Sequence, residues 1–502
     1  MGANSQSRLV QNLFSFIFVF IFLYPFVILL LQVKSLQWAD NEELLWAFKN
    51  SLMQSVLAAT GATVFGFIFS FGLIRWHRLW LDFLFLFPIF TPTIFVLLFF
   101  LQTIEPFPRN NWGVSFIHTF IYMGMVAVSF KRSQLSKWTN WAQQAQVMGL
   151  SSKRFIWLTI SSLRSEFFAN WNYVFITALT SFNIPLIMGG SHGTNLEVLI
   201  YEKLRIDGDW SQALSITIVQ VLVVAVFSLL FFSMQKIFLQ PLPDLKFKNS
   251  RTNEDQWSTL TRKWLGNSTV AGIGLVIYLF FAGSLVYGMI ASLAMPGMED
   301  YLRSVADYFL NTFSLALFSG VLAVMGLLMY AFLWPQLYLQ KFFQVYLPPS
   351  SVLLGIAAFF WGGPQSGWSL QIKYLAVTFL LGFPFLSKLA WESELQKLKP
   401  QWQVASTMGL SHWKWVGTIF WPQLFPKICD LAFLQSVWIA GDFALYKMVV
   451  NQDRTIGSYM ATLMSSYRID AAMAVGVYIL VTITLLYIFW MGLKKICQKL
   501  LV

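Results

Sequence analysis

Residues 268–293 read STVAGIGLVIYLFFAGSLVYGMIASL, a run without a single charged side chain. A helix needs roughly 20 mostly apolar residues to span a bilayer, so this run predicts a transmembrane helix. The whole 502-residue chain is similar, with 57% hydrophobic residues, 11% charged residues and a mean hydropathy of +0.62. Helices satisfy their own backbone hydrogen bonds in lipid, whereas open strands do not. The sequence therefore predicts an all-α polytopic membrane protein and excludes a water-soluble fold.

About twelve stretches have the length and composition of a membrane span. The third contains Pro88 and Pro92, and the ninth is short. The predicted spans are 9–33, 51–74, 80–103, 112–130, 167–188, 212–235, 268–293, 311–334, 349–362, 374–390, 428–448 and 471–493.

The net charge of +12 follows a topological pattern. If the spans alternate from a cytoplasmic N-terminus, basic residues such as Lys131 and Arg132 collect in the inner loops. The outer loops then carry acidic sets such as Glu299, Asp300 and Asp307. This bias predicts a multi-pass protein with both termini in the cytoplasm. It also explains the basicity without nucleic acid as a partner.

Two polar segments of the chain repeat each other. Residues 143–151 read QQAQVMGLS, and residues 403–411 read QVASTMGLS. A soluble corner that is duplicated within a membrane protein indicates a docking surface for a two-fold partner. Six positions are identical at a spacing of 260 (409 − 149 = 260): Gln143, Ala145, Met148, Gly149, Leu150 and Ser151 match Gln403, Ala405, Met408, Gly409, Leu410 and Ser411.

A polar linker at 240–266 divides the chain into two repeats, 1–239 and 267–502. The repeats also match elsewhere, since FKNS at 48–51 corresponds to FLNT at 309–312. We predict six spans in each repeat. An even number of spans gives both repeats the same orientation, so the predicted architecture has two parallel repeats around a translocation path.

We call residues 143–151 the first elbow and residues 403–411 the second elbow. Gly149 and Gly409 suit the left-handed conformation that ends a helix, after which the following leucine folds back. Ser151 and Ser411 suit the cap of the next helix. Each elbow is therefore predicted to be a compact helical corner with exposed apolar residues.

On these residues the chain resembles the membrane subunit of bacterial ATP-binding-cassette (ABC) importers, which carry a cytoplasmic "EAA" loop. In that loop a glycine is followed thirteen residues later by a proline, as Gly409 is by Pro422. The EAA-like loops here are 131–165 and 391–425. The first copy has Ser162 in place of the proline, and both copies lack the motif's glutamate. The resemblance implies a type I importer (MetI-like) permease fold in the bacterial inner membrane.

The resemblance extends to the fused double-permease subgroup that serves thiamine and ferric iron, and is closer to the thiamine type. The stretches that carry it are IAGDF at 439–443, NQDRT at 451–455 and SYR at 466–468. It implies two copies of an ABC ATPase docked at the elbows, and an extracytoplasmic substrate-binding protein. It implies no cofactor on this chain, because ATP and magnesium would bind to the ATPase.

Asp442 lies in an otherwise apolar run between Gly441 and Phe443. An aspartate at the centre of a membrane helix costs about 2.5–3.5 kcal/mol on insertion scales, which indicates a specific role. Either these three residues line a pathway or gate for a cationic substrate, or the carboxylate caps a broken helix. Both interpretations stay open.

Arg205 and Asp207 recur as Arg468 and Asp470 on the predicted outer face. They indicate either docking of the binding protein through salt bridges, or simple anchoring at the membrane interface or ion pairs within the loop. The four histidines are scattered, so no metal site is predicted.

The chain contains no nucleotide-binding loop and no catalytic grouping, which predicts a transport subunit rather than an enzyme. The remaining alternatives are an iron(III) importer and, from another class, an ion-coupled secondary transporter with parallel repeats.

Overall fold

The computed structural model describes residues 2–31, 41–76, 78–147, 163–238, 268–333, 351–361, 367–387, 392–410, 412–450, 452 and 454–500. The regular secondary structure of these residues is helical, and the protein is an all-α polytopic membrane protein. The helices in chain order are α1 Gly2–Leu31, α2 Asn41–Trp76, α3 Leu79–Phe90, α4 Thr93–Thr103, α5 Asn111–Val147, α6 Arg164–Leu179, α7 Asn183–Met188, α8 Leu196–Arg205, α9 Trp210–Phe238, α10 Ser268–Leu293, α11 Met298–Leu333, α12 Ser351–Phe360, α13 Gly367–Leu386, α14 Glu392–Thr407, α15 His412–Trp415, α16 Trp421–Ala440, α17 Ala444–Val450, α18 Ile456–Ser465 and α19 Ile469–Leu500.

Among the described residues, eight helices are long and apolar enough to cross a membrane. Two further pairs, α3 with α4 and α16 with α17, reach that length only as bent pairs, which gives up to ten spans. The prediction of twelve spans stays a prediction. The predicted ninth span contains α12, a shorter apolar helix of 10 residues, and part of that span lies outside the described residues.

Three predicted spans are interrupted rather than straight. The span predicted at 80–103 consists of α3 and α4, which meet at 90°. Thr91 has an extended backbone with ψ 135°, because the residue before a proline is disfavoured in the helical region. The span predicted at 428–448 consists of α16 and α17, bent by 69° around 441–443. The span predicted at 167–188 is also interrupted, since α6 ends at Leu179 and α7 begins at Asn183.

The helices form two compact units. Unit 1 comprises residues 1–37, 203–214 and 292–502, and unit 2 comprises residues 38–202 and 215–291. The first helix of each repeat therefore belongs to the unit that contains most of the other repeat: α1 lies in unit 1 and α10 in unit 2. The repeat boundaries, 1–239 and 267–502, concern the duplication of sequence and stay a prediction.

In unit 2, α2 packs against α5 and α6. Their buried contact includes Ala59 and Ala62 of α2, Phe130 of α5 and Phe175 of α6. Small residues allow helix backbones to approach closely in a membrane. At Gly66 a methyl group would lie 2.8 Å from the Met123 carbonyl oxygen, so only glycine fits there.

Helix α10 joins unit 2 through aromatic contacts. The rings of Phe85 and Tyr278 lie 4.7 Å apart between centroids. Those of Phe99 and Phe281 lie 4.9 Å apart, edge to face. Such pairs stabilise aromatic contacts by about 0.5–1.5 kcal/mol beyond the area they bury.

In unit 1, α11 packs against α16, and α16 packs against α19. The Trp490 indole N–H donates to the Ser436 hydroxyl at 3.1 Å, which satisfies a buried polar group between α19 and α16. Helix α1 enters this unit through Phe18 and Phe22, each with its ring centroid 5.4 Å from that of Phe383.

Candidate functional site

The second elbow has the predicted local geometry. Gly409 has φ +76°, in the left-handed region, where a β-carbon is strained. The Leu410 N–H donates to the Ala405 carbonyl at 3.0 Å, so the chain folds back on the last turn of α14. This six-residue closure satisfies a carbonyl at the helix end.

The surface of this elbow is apolar and exposed. Met408 is 81% exposed and Val404 is 59% exposed, one helical turn apart, whereas Ala405 is buried. Gln403 is exposed beside them. A charged or polar residue would ordinarily occupy such positions on a water-facing helix, so these side chains form a candidate contact surface for another protein.

Aromatic contacts join the second elbow to the segment that leads into α16. Trp415 is 1% exposed, and its ring centroid lies 5.1 Å from that of Trp402 and 5.5 Å from that of Phe420. After Trp415 the chain continues through a π-helical turn into α16, which has Pro422 in its first turn. Proline fits there because the first helical N–H groups have no intrahelical partner.

The first elbow is described only in part. Gln143 and Ala145 lie in the last turns of α5. Met148, Gly149, Leu150 and Ser151 lie outside the described residues, as does Ser411 of the second elbow.

Unit 2 contains a buried amide cluster. The Asn111 amide donates to the Asn50 side chain at 2.7 Å, and the Asn50 amide donates to the Thr194 carbonyl at 3.0 Å. The adjacent Ser51 hydroxyl accepts the Leu196 N–H at 2.9 Å. These bonds fix the start of α8 on α2 and α5.

Unit 1 contains the same cluster at equivalent positions. The Gln371 amide donates to the Asn311 side chain at 3.0 Å, and the Asn311 amide donates to the Arg454 carbonyl at 2.7 Å. The Thr312 hydroxyl accepts the Ile456 N–H at 2.9 Å. Each residue stands 260 or 261 positions after its counterpart (311 − 50 = 261; 371 − 111 = 260). The duplication noted in the sequence is thus repeated in the hydrogen bonds.

Asp442 caps the second half of a broken helix. Its carboxylate accepts the Leu445 and Tyr446 N–H groups at 3.4 and 3.2 Å, at the start of α17. It also accepts the Tyr374 hydroxyl of α13 at 2.9 Å. The side chain is partly buried, and Gly441 and Phe443, on either side, are buried. The capping interpretation therefore describes the geometry, while a role in a pathway remains a hypothesis.

The four residues predicted on the outer face differ in their surroundings. Arg205 is partly buried and donates to the Met448 carbonyl and, at 3.2 Å, to the Val449 carbonyl. Asp207 pairs with Lys203 at 3.2 Å and is half-exposed. In the second repeat, Arg468 and Asp470 are exposed, and Arg468 donates to the Tyr301 hydroxyl at 3.0 Å.

Glu197 and His118 are among the buried polar residues that the sequence analysis did not single out. Glu197 is fully buried and accepts a hydrogen bond from the Gln220 amide, within unit 2. His118 is 1% exposed and stacks on Tyr122, with ring centroids 6.1 Å apart. In the sequence, the only indication of either residue was a polar side chain within an apolar stretch. The described residues contain no group of three His, Cys, Asp or Glu side chains with metal-binding geometry.

Comparison with known proteins gives one group of relatives. The chain is similar to the thiamine transport system permease proteins of Brucella abortus and Brucella melitensis, at 24% identity over 351 residues. The similarity covers 66% of this chain and 62% of each relative, so the matched region spans less than two-thirds of their length. No family model matches the chain. No solved structure matches it either.

Proposed function

We propose that the chain is the permease subunit of an ABC importer and forms the translocation pathway for a small solute. The exposed apolar surface of the second elbow, at Val404 and Met408, is the observation that supports this most directly. An elbow that is rigid inside and apolar outside suits a groove on a partner protein. The distant similarity to permease proteins points to the same class.

The elbow is built to transmit motion. Gly409 and the Leu410–Ala405 bond fix the turn, and the buried Trp415 anchors the segment that follows. From residue 412 the chain is helical up to Ala440, where α16 ends at the break before α17. Because packed helices move as rigid bodies, a push on the elbow would displace this break.

In this mechanism two copies of an ABC ATPase dock at the elbows and close when they bind ATP. Their closure draws the elbows together and opens the pathway to the outside, where a binding protein delivers the solute. Hydrolysis on the ATPases resets the pathway. This chain supplies the lever and the path, and no catalytic group.

We propose thiamine as the solute, which agrees with the named function of the Brucella relatives. Iron(III) is the second candidate, since the resemblance noted in the sequence covers both groups. An ion-coupled secondary transporter is the alternative from another class. The buried carboxylate of Glu197 favours that alternative, because coupling ions bind to embedded acidic groups.

Docking of an ATPase can be tested at the second elbow. Met408→Glu places a charge on an 81% exposed side chain and should leave the permease folded. We expect it to abolish co-purification of the co-expressed cassette ATPase, because a buried unpaired charge opposes the interface. Thr418→Glu is the matched control, since Thr418 is also exposed but lies beyond the elbow.

A second pair of variants tests the shape of the elbow. Gly409→Val introduces a branched side chain at φ +76°, whereas Gly417→Val is made at an exposed glycine without positive φ and with no atom within 4 Å of its β-carbon. Only Gly409→Val should weaken ATPase binding. Retention of the ATPase by both Met408→Glu and Gly409→Val would refute the proposed function.

Uptake assays identify the solute and the energy source. Labelled thiamine should accumulate in cells that express the chain with its ATPase, and should not accumulate when the ATPase carries an inactive nucleotide site. Uptake that follows the proton or sodium gradient without an ATPase would establish the secondary transporter instead.

A further inference from the structure

Polar side chains hold the short helix α17 at both ends. At its start, Asp442 caps the helix and accepts the Tyr374 hydroxyl. At its end, the Arg205 guanidinium donates to the carbonyls of Met448 and Val449. Arg205 belongs to the first repeat by sequence, so α17 of the second repeat depends on a side chain from the first.

The chemistry of a helix end explains the choice of arginine. The last carbonyls of a helix have no intrahelical donor and carry the negative end of the helix dipole. Met448, Val449 and Val450 are all at most 6% exposed, so access of water to these carbonyls is restricted. A planar guanidinium reaches two carbonyls at once, which a lysine ammonium does less well.

The corresponding helix of unit 2 lacks these restraints. Helix α7 begins at Asn183 with no side-chain cap. The end of α6 and the start of α7 stand 261 positions before the end of α16 and the start of α17, so Ser181 occupies the place of Asp442 (442 − 261 = 181). Arg468, the counterpart of Arg205, donates to the Tyr301 hydroxyl and is exposed. Restraint at both ends is therefore not a general requirement of this repeat.

The segment that follows Arg205 is open to contact. Ile206 is 70% exposed, and Gly208 has φ +70° with no atom within 4 Å of its β-carbon position. Between them, Asp207 pairs with Lys203. Contact with this tip would move the neighbouring guanidinium, since only one residue separates the exposed aspartate from it.

We propose that Arg205 is a positioning residue that latches α17 in a closed arrangement, and that an extracytoplasmic binding protein landing on residues 206–208 releases it. The latch deepens the proposed function, because it supplies the link between an external partner and the broken helix. Release would free α17 to move relative to α16 about the break at 441–443.

The latch can be tested in membranes without any partner. The background carries Cys429→Ala and Cys497→Ala, and Val450→Cys places a thiol at a position that is 5% exposed. Labelling by a membrane-impermeant maleimide reports opening at the end of α17. We expect Arg205→Gln to raise the labelling rate roughly ten-fold, the equilibrium effect of losing one hydrogen bond to a charged group. Arg468→Gln is the matched control and should leave the rate unchanged.

Arg205→Lys is a second variant that is less prone to misfold, because lysine keeps the charge and the long side chain. It should give a labelling rate between those of the parent and Arg205→Gln. Equal labelling in Arg205→Gln and the Arg468→Gln control would overturn the latch. If the Arg205→Gln protein does not reach the membrane, the Arg205→Lys variant decides the question. A labelling rate of Arg205→Lys equal to that of the parent would then also overturn the latch.

A second readout separates this inference from the proposed function. In the reconstituted complex, Arg205→Gln should raise basal ATP hydrolysis and reduce the stimulation by binding protein roughly ten-fold, in line with the labelling. Normal stimulation in an assembled Arg205→Gln complex would contradict release by the binding protein. If no ATPase associates with the parent protein, the proposed function fails, while the labelling result still decides whether Arg205 latches α17.

Discussion

The hydrogen bond between Tyr374 and Asp442 gives a quantitative test of how the broken helix is held. Tyr374 is 1% exposed, and its hydroxyl donates to the carboxylate at 2.9 Å. The same carboxylate accepts the Leu445 and Tyr446 N–H groups. We expect Asp442→Ala to destabilise unit 1 strongly, and Asp442→Asn to be tolerated because asparagine is also a good helix cap.

The magnitude follows from the contacts that are lost. Removal of the cap costs about 1 kcal/mol. The buried Tyr374 hydroxyl then has no acceptor, which costs a further ~1–3 kcal/mol. Asp442→Ala should therefore lower the free energy of unfolding by about 2–4 kcal/mol. The double variant Tyr374→Phe with Asp442→Ala has no hydroxyl left without an acceptor. Its loss of unfolding free energy should therefore be about 1–2 kcal/mol smaller than the sum of the losses in the two single variants.

Thermal and denaturant unfolding of the purified protein measure this coupling. Met473→Leu, a volume-conserving change at a buried residue of α19, controls for general sensitivity of the core. If the loss of unfolding free energy in the double variant equals the sum of the single-variant losses within about 0.3 kcal/mol, Tyr374 and Asp442 do not act together. The Asp442→Asn variant separates the roles further: full stability with impaired thiamine uptake supports a role of the charge in the pathway, whereas unchanged uptake leaves only the cap.

Two further predictions concern stability. The Lys131 ammonium lies 2.7 Å from the partly buried Asp82 carboxylate, so Lys131→Met leaves that carboxylate unpaired and should destabilise unit 2 by about 3 kcal/mol. The double variant Lys131→Met with Asp82→Leu removes both charges and should be near neutral, which unfolding of both proteins checks. Asn50→Ala and Asn311→Ala should each lower the free energy of unfolding by about 2 kcal/mol, because each removes one donor and one acceptor from its amide cluster. If thermal unfolding gives two losses that differ by more than about 2 kcal/mol, the clusters are not equivalent.

The second elbow was predictable because its conformation is set by adjacent residues. A glycine after a short helix, followed by a leucine, specifies the left-handed turn and the bond from Leu410 to Ala405. The break before α4 was not predicted, although Pro92 gives it a local cause, because Thr91 precedes a proline; Pro88 lies within α3. The cap at Asp442 was one of two interpretations, since the sequence shows an embedded carboxylate but not its partners.

The exchange of α1 and α10 between the units was not predictable. Both helices are apolar on all sides, and only 33% and 28% of their spanning residues are buried. A side chain that faces lipid and one that faces a helix are equally apolar, so the sequence does not show which helices α1 and α10 pack against. The partners of Arg205 and Glu197 were not predictable for another reason: they lie 243 and 23 residues away along the chain, and nothing local to either side chain specifies them.

The duplication supplies an internal comparison that separates scaffold from function. The amide clusters at Asn50 and Asn311 are retained in both repeats, and both hold the start of a short helix. In contrast, Asp442 corresponds to Ser181, 261 positions earlier, and Tyr374 corresponds to Val114, 260 positions earlier, so the first repeat has no carboxylate at this place. An embedded carboxylate costs free energy that the first repeat avoids at this position. Because the amide clusters are equivalent but Asp442 has no carboxylate counterpart, the capped and bridged break is a feature of the second half alone, and we therefore expect substitutions around α17 to impair transport more than matched substitutions around α7.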